Sequence, residues 1–171
     1  CPRQCKADRT QGRGRCRMPD RPVLARAALH HWEEPPLSGT RGAGTVFFSG
    51  CSLGCIFCQN DAISQQDFGK EITAARLREI FFELIQAGAH NIDLVNPTHY
   101  AHVVKKLLEE HPLPVPVVWN TGGYERVETL RSLEGKVDIY LPDLKYADSA
   151  LSAELSAAPD YFEVATAAIE E

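Results

Sequence analysis

The sequence of 171 residues lacks any apolar run approaching the roughly 18 residues of a membrane-spanning helix. It also lacks an excess of positive charge. Its formal net charge of -5 at pH 7 argues against a typical nucleic-acid-binding chain. Its one methionine is Met18, and its last residues lie in a helical pattern without a stop signal. We therefore expect a piece of a longer protein, with neither a membrane nor a nucleic acid as partner.

No cysteine follows Cys58, although about two thirds of the chain lies beyond it. A secreted disulfide scaffold spreads its cysteines through a short chain, so this distribution argues against one. The six cysteines fall into two groups of three: Cys1, Cys5 and Cys16, then Cys51, Cys55 and Cys58. This clustering favours metal binding in a reducing compartment, and we expect a cytoplasmic protein.

The second group has the spacing C-x3-C-x2-C, which is close enough for the three thiolates to bind irons of one cluster. A [4Fe–4S] cluster held by three cysteines keeps one iron without a protein ligand, where a small molecule can bind. A structural zinc site usually has four protein ligands, and no fourth ligand is in register here. The spacing therefore favours a cluster over the two alternatives, a zinc knuckle or reduced structural thiols.

Hydrophobic periodicity predicts that strands and helices alternate along most of the chain. Strands are predicted at residues 45–49, 92–95, 115–119 and 137–141. Helices are predicted at residues 74–85, 99–110, 124–133, 147–156 and 161–171, the first with Thr73 as N-cap. The helical crossovers are long enough to join parallel strands. The sequence thus predicts an α/β fold, either an open doubly wound sheet or part of a (β/α) barrel.

Four polar loops follow the predicted strands: the Cys51–Cys58 segment, then residues 96–100, 120–124 and 142–145. In both candidate architectures, chemistry collects on the loops after the carboxyl ends of the strands. We therefore expect these loops to form one site.

The segment from Cys51 to Cys58, with Phe57 before its last cysteine, resembles the signature of radical S-adenosylmethionine (SAM) enzymes. Residues 25–35, 42–50, 58–60 and 138–146 are similar to a branch of that superfamily related to the activating enzyme of pyruvate formate-lyase. The resemblance implies a partial (β/α) barrel with only its first four β/α units present. It implies an N-terminal extension over residues 1–40 and a barrel domain over residues 41–171, truncated at its C-terminus.

The resemblance also implies a chemistry: a [4Fe–4S] cluster on Cys51, Cys55 and Cys58 splits SAM reductively. The product is a 5'-deoxyadenosyl radical, which abstracts a hydrogen atom. It implies a glycyl radical enzyme as the protein or peptide substrate, and flavodoxin or ferredoxin as the external electron donor. The alternative is an iron–sulfur electron-transfer or metal-binding protein without SAM chemistry.

The same resemblance suggests residues for SAM binding. Phe57 corresponds to an aromatic that packs near the adenine, and Asn60 lies in the similar segment. Asp143 and Lys145 correspond to an Asp-x-Lys at the SAM site, where the Lys would pair with the SAM carboxylate. The remaining candidates are Asn120, Thr121, Thr98 and His99. Asn120 stands where the family has Asp, and Thr98 and His99 stand in place of a Gly-Gly-Glu motif; an N-cap role is an alternative for Thr98.

The first cysteine group is the weaker motif. Cys1, Cys5 and Cys16 lie in a basic segment, since residues 1–26 contain eight Lys and Arg against two Asp. Cationic surroundings favour the thiolate, which is the form that binds metal. The three cysteines are candidate ligands of a second metal site, and three reduced thiols on a surface arm are the alternative.

Overall fold

The structure is a computed structural model that describes residues 1–171. Its elements follow in the order β1 (Val23–His30), α1 (Pro35–Ser38), β2 (Ala43–Phe48), α2 (Asp61–Gln65), β3 (Lys70–Glu71), α3 (Ala74–Gln86), β4 (Ile92–Val95), α4 (Ala101–Glu110), β5 (Val117–Thr121), α5 (Val127–Arg131), β6 (Ile139–Pro142), α6 (Ser149–Ser156) and α7 (Tyr161–Glu170). A 3₁₀ turn at Thr98–Tyr100 directly precedes α4. None of the helices is long and apolar enough to cross a lipid bilayer.

The strands form one six-stranded sheet in the order β3-β1-β2-β4-β5-β6. Strands β2, β4, β5 and β6 are parallel, and helices α3, α4 and α5 lie in the connections between them, as parallel pairing requires. These are the four strands predicted from the sequence, with ends that differ by at most two residues, so the α/β class is confirmed. The sheet does not close, and a partial radical SAM barrel stays a prediction.

Strands β1 and β3 were not predicted from the sequence. Strand β1 runs antiparallel to β2, from Leu24 opposite Phe48 to His30 opposite Ala43, and its other edge pairs with β3. Its sequence VLARAALH contains three alanines, which have low strand propensity, so the segment has no clear strand signal. The strand lies inside the expected extension of residues 1–40, and it belongs to the same sheet as β2.

Helices α3 and α4 cover one face of the sheet. In α3, the Thr73 hydroxyl caps the helix by accepting a hydrogen bond from the Arg76 amide at 3.1 Å, as predicted. The buried apolar residues of the two helices pack against sheet residues that include Phe48, Leu94 and Trp119. The buried helix residues are Leu77, Phe81 and Leu84 of α3 and Val104, Leu107 and Leu108 of α4. This main core fixes the positions of the strand ends from which the polar loops emerge.

A second, smaller core connects the Cys51–Cys58 loop to the last two helices. It contains Leu53, Cys55, Tyr124, Tyr146, Ala158, Tyr161 and Ala165. Asp148 caps the N-terminus of helix α6, where its side chain accepts a hydrogen bond from the Leu151 amide at 2.8 Å. The backbone amide of Ile56 donates to the Leu155 carbonyl at 2.9 Å, so the cysteine loop is attached directly to α6.

The helix predicted at residues 124–133 is shorter in the structure, where α5 covers only Val127–Arg131. Glu125 is buried, and its carboxylate accepts hydrogen bonds from the Trp119 indole at 3.2 Å and the Thr121 hydroxyl at 2.8 Å. These contacts hold the residues after β5 in a loop and delay the start of the helix.

Candidate iron–sulfur site

The three clustered cysteines lie on the loop between β2 and α2, and all three are free thiols. Cys55 is buried, and Cys51 and Cys58 are partly exposed. The loop begins at Gly50, whose φ of 81° favours glycine. A Cβ at this position would lie 2.5 Å from the Cys16 carbonyl oxygen and 2.3 Å from Met18 Cγ. The absence of a side chain thus lets the N-terminal segment pack directly beneath the cysteine loop.

Each of the three sulfurs accepts a hydrogen bond from a different side chain. The Asn96 amide lies 3.1 Å from Cys51 Sγ, and the Ser156 hydroxyl lies 2.9 Å from Cys55 Sγ. The Ser64 hydroxyl lies 3.4 Å from Cys58 Sγ. A backbone amide, that of Leu53, also lies 3.4 Å from Cys51 Sγ. Every sulfur of the loop therefore has at least one hydrogen-bond donor beside it.

Burial raises the pKa of the Cys51 thiol, and the neighbouring Cys55 and Cys58 add to the rise, while the amides of Gly54 and Leu53 act against it. A buried thiolate among other thiolates is costly without a cation to balance the charge. In the metal-free protein this favours the protonated thiol at Cys51, and a bound iron would supply the positive charge that stabilises the thiolate.

No three Cys, His, Asp or Glu side chains converge closely enough to hold a single metal ion. A [4Fe–4S] cluster does not require such convergence, because each thiolate binds a different iron of the cluster. The donor set, three thiols that each receive a hydrogen bond, fits such a cluster chemically. It does not form the four-ligand set of a structural zinc site.

Lys145 and Asp143 lie after β6, as predicted, and form an ion pair with a distance of 2.5 Å between Nζ and Oδ2. Burial acts to lower the pKa of Lys145, but the hydrogen bond and charge of Asp143 raise it above its usual value overall. The thiolate charges of Cys55 and Cys51 add to that rise. The ammonium group is therefore charged and lies within electrostatic reach of the cysteine loop.

The loops after β5 and β6 meet at the hydroxyl group of Tyr161. This hydroxyl accepts a hydrogen bond from the Lys145 amide at 2.8 Å and lies 2.9 Å from the carbonyl oxygens of both Gly122 and Asp143. A Cβ at Gly122 would lie 3.0 Å from Leu53 Cδ1 and 3.5 Å from Lys145 Cε. The cysteine loop and these two loops thus pack together around Gly122.

Phe57 is 56% exposed and makes an edge contact with Tyr146, with ring centroids 6.1 Å apart. Asn60 is exposed at the start of α2 and makes no capping hydrogen bond with its side chain. Both side chains are free to contact a ligand at the cysteine loop, and their assignment to SAM stays a prediction.

Thr98 and His99 are buried and bonded within the protein. The Thr98 hydroxyl contacts the Glu125 carboxylate and lies 2.9 Å from Asn96 Oδ1, so it does not cap the following helix. Burial lowers the pKa of His99 to about 3, so its ring is neutral and Nε2 donates to the Ser49 carbonyl at 2.7 Å. The structure gives both residues structural contacts that the sequence analysis did not anticipate, and their role in SAM binding stays a prediction.

Asn120 and Thr121, at the end of β5, face opposite sides of the sheet because neighbouring strand residues alternate. The Thr121 hydroxyl donates to the buried carboxylate of Glu125. Asn120 lies on the other face of the sheet, where Asp93 of the neighbouring strand β4 is fully buried. The two residues therefore do not form one polar pair, although both lie at the expected strand end.

The N-terminal cysteines are brought together in part. A Cβ placed on Gly14 would lie 3.4 Å from Cys5 Sγ and 3.5 Å from Cys16 Sγ, so these two sulfurs are near each other. Cys1 is exposed. The segment is attached to the rest of the protein by Arg9, which donates to the His99 carbonyl at 2.5 Å and covers the Tyr100 ring. A second metal site on these cysteines stays a prediction.

Four polar residues at or near the site were not identified as site residues from the sequence: Ser64, Asn96, Glu125 and Ser156. Asn96 follows a predicted strand directly, and this position could have identified it. Glu125 was assigned to a helix, where an isolated glutamate is usually solvated. Ser156 carries no local signal, because its partner Cys55 lies 101 positions earlier in the chain.

Residues 38–156 match the family described as 4Fe-4S single cluster domain. An uncharacterized protein of Methanocaldococcus jannaschii is 33% identical over 172 aligned positions, which cover 96% of this chain and 50% of that protein. A 7-carboxy-7-deazaguanine synthase of Methanothermobacter thermautotrophicus is 35% identical over 69 positions, which cover 39% of this chain and 28% of that protein. The chain thus spans about half the length of the first relative and less of the second.

The α/β fold, the three-cysteine loop and these similarities define an iron–sulfur protein of the radical SAM-like type. The chain belongs to the 4Fe-4S single cluster domain family, because the match covers well over half of its residues. This membership supports a [4Fe–4S] cluster as the cofactor, and its ligands Cys51, Cys55 and Cys58 remain the assignment made from the sequence.

Proposed function

We propose that this protein is a radical SAM enzyme in which Cys51, Cys55 and Cys58 hold a [4Fe–4S] cluster beside a binding site for SAM. The observation that carries the proposal is the combination of three thiols, each with its own hydrogen-bond donor, and the charged Lys145 within reach of them. When bound, the cluster supplies one electron and an open iron, the requirements for splitting SAM into methionine and a 5'-deoxyadenosyl radical.

The role that we propose for Lys145 is to bind the carboxylate of SAM. An ammonium group has three donors, and Asp143 takes one of them, which leaves two for a ligand. The Lys145 side chain is 27% exposed, so these donors are accessible from solvent. Asp143 acts as a positioning residue, because its charge keeps the lysine protonated and restricts the direction of its ammonium group.

Phe57 and Asn60 are the residues that we propose for the adenosine part of SAM. Phe57 forms a T-shaped contact with Tyr146 and is still 56% exposed, so part of its ring is available for packing against a flat base. The Asn60 amide can both donate and accept hydrogen bonds at the edge of such a base.

For the hydrogen-abstraction half-reaction, we propose a glycyl radical enzyme as the substrate and flavodoxin or ferredoxin as the electron donor. The support is the resemblance of residues 42–50 and 138–146 to a branch of radical SAM proteins that is related to the activating enzyme of pyruvate formate-lyase. The match to a 7-carboxy-7-deazaguanine synthase favours a second candidate, a small-molecule substrate. A glycyl radical signal in electron paramagnetic resonance after incubation with a glycyl radical protein would separate the two.

The decisive experiment is anaerobic reconstitution of the full-length protein with iron and sulfide, followed by addition of dithionite and SAM. We expect 5'-deoxyadenosine and methionine in equal amounts. A cluster that is reduced without consuming SAM would instead identify an electron-transfer or metal-binding protein. Zinc without iron or sulfide in the purified protein would identify a zinc-dependent module.

A further inference from the structure

The three side-chain hydrogen bonds to the cysteine sulfurs come from three separate elements of the fold. Ser64 belongs to α2, Asn96 follows β4 directly, and Ser156 is the last residue of α6. No two of these side chains are neighbours in sequence, and each contacts a different sulfur. One donor for every sulfur is therefore a property of the tertiary structure.

Ser156 is the donor with the most defined surroundings. It is 3% exposed, and its hydroxyl oxygen lies 2.5 Å from the Tyr146 hydroxyl as well as 2.9 Å from Cys55 Sγ. Since a hydroxyl has one proton to give, the Tyr146 hydroxyl donates to Ser156 and Ser156 donates to the sulfur. The result is a directed chain of hydrogen bonds that ends on the buried cysteine.

The backbone at Ser156 is fixed from the other end of the sequence. The Arg3 guanidinium donates to the Ser156 carbonyl at 2.6 Å and to the Ser52 carbonyl at 2.7 Å, and it also contacts the Ala157 carbonyl. The same guanidinium lies over the Tyr124 ring, 5.1 Å from its centroid. Arg3 thus holds the end of α6 against the cysteine loop, which keeps the hydroxyl of Ser156 beside its sulfur.

We propose that Ser64, Asn96 and Ser156 set the reduction potential of the cluster by donating one hydrogen bond to each of its cysteine ligands. This inference rests on the proposed function. Reduction adds one electron to the cluster, and the cysteine sulfurs carry part of the added negative charge. A donor proton beside each sulfur stabilises that charge and so makes the potential less negative. The three residues are positioning residues that act through the cluster ligands.

The test is a redox titration with dithionite, followed by electron paramagnetic resonance of the reduced cluster, in the reconstituted full-length protein without SAM. Ser156→Ala, Ser64→Ala and Asn96→Ala should each shift the midpoint potential to more negative values, with iron and sulfide content unchanged. Ser156→Thr keeps a hydroxyl and should restore most of the wild-type value. Ser149→Ala, at an exposed serine of the same helix, is the matched control and should show no shift.

Midpoint potentials equal to that of Ser149→Ala in all three variants, at full cluster content, would overturn the inference. If Ser156→Ala loses its cluster, the midpoint potential of Ser64→Ala decides instead. Its partner Cys58 is at the partly exposed end of the loop. A wild-type protein that reduces its cluster without cleaving SAM would defeat the proposed function, while the potentials would still decide this inference. Unchanged potentials in the three variants, together with SAM cleavage by the wild type, would overturn this inference and leave the proposed function standing.

Discussion

The ammonium group of Lys145 lies 2.5 Å from a carboxylate oxygen of Asp143, two residues earlier on the loop after β6. The lysine stem lies beside Gly122, whose missing side chain leaves space for Leu53 of the cysteine loop. This arrangement presents one charged donor group toward the place where the proposed cluster and SAM would meet.

Lys145→Met should weaken SAM binding about tenfold, because a charged hydrogen bond to the SAM carboxylate is lost while the apolar stem is kept. Equilibrium binding of SAM to the reconstituted protein, with iron content measured in parallel, checks this prediction. Lys136→Met, at a lysine that pairs with Glu109, is the control and should bind SAM normally. Loss of iron in Lys145→Met would mean that the residue has a structural role instead.

Replacement of Cys51, Cys55 or Cys58 by Ala should abolish both the visible absorbance of the cluster and the cleavage of SAM. Two thiolates leave too few protein ligands to retain a [4Fe–4S] cluster against loss of iron. Absorbance, iron and sulfide content, and 5'-deoxyadenosine formation are the measurements. SAM cleavage that survives in any one of the three variants would contradict the ligand assignment.

Cys5→Ala should leave the cluster on Cys51, Cys55 and Cys58 in place, because Cys5 is exposed on a different segment. The iron content per chain, compared with that of the wild type, then reports on the second site predicted from the sequence. A decrease with SAM cleavage retained would identify a second centre that includes Cys5. Loss of SAM cleavage together with the absorbance of the main cluster would show that the two cysteine groups depend on each other.

Asp93→Asn should change how stability depends on pH. Burial raises the pKa of Asp93 to about 7 from 3.8, and the nearby Glu33 adds to the rise. Between these two pH values the folded state binds a proton that the unfolded state has lost. The contribution of Asp93 to stability is therefore greatest at low pH and falls as the pH rises to about 7.

Thermal or denaturant unfolding between pH 4 and pH 8 tests this prediction. The variant should gain stability relative to the wild type as the pH rises, by at most about 1.4 kcal/mol per pH unit within the window. Thr45→Val is the matched control, because it removes the 3.3 Å hydrogen bond to Asp93 but keeps the carboxyl group. It should still lose stability as the pH rises, because the carboxyl group remains and the lost hydrogen bond had acted to lower its pKa. A parallel profile for wild type and Asp93→Asn would refute the assignment.

The sequence predicts most of the fold because its strongest signals are local. The four parallel strands are short β-rich runs, and α3 combines helical periodicity with a Thr73 cap. Strand β1 was missed because its alanines do not favour a strand, and its pairing with β2 compensates for this. Local signals also placed Asp143 and Lys145 correctly at a strand end.

The contacts within the site were harder to predict because they join distant parts of the chain. Thr98 and His99 were predicted as SAM-site residues on a polar loop, and the sequence did not indicate that they are buried with hydrogen bonds to Glu125 and Ser49. Likewise, nothing near Ser156 in sequence indicates that its hydroxyl reaches a cysteine. Such pairings depend on how α6 packs onto the cysteine loop, and periodicity carries no information about that packing.

The contacts of Arg3 have a consequence for biosynthesis. Arg3 joins the cysteine loop to the end of α6. Ser156, at that end, lies 153 positions after Arg3 in the chain. Ser156 must therefore have emerged from the ribosome before Arg3 can make this contact and the loop can adopt its final shape. Insertion of iron and sulfide into a fully shaped site thus has to wait until the chain has been translated past Ser156.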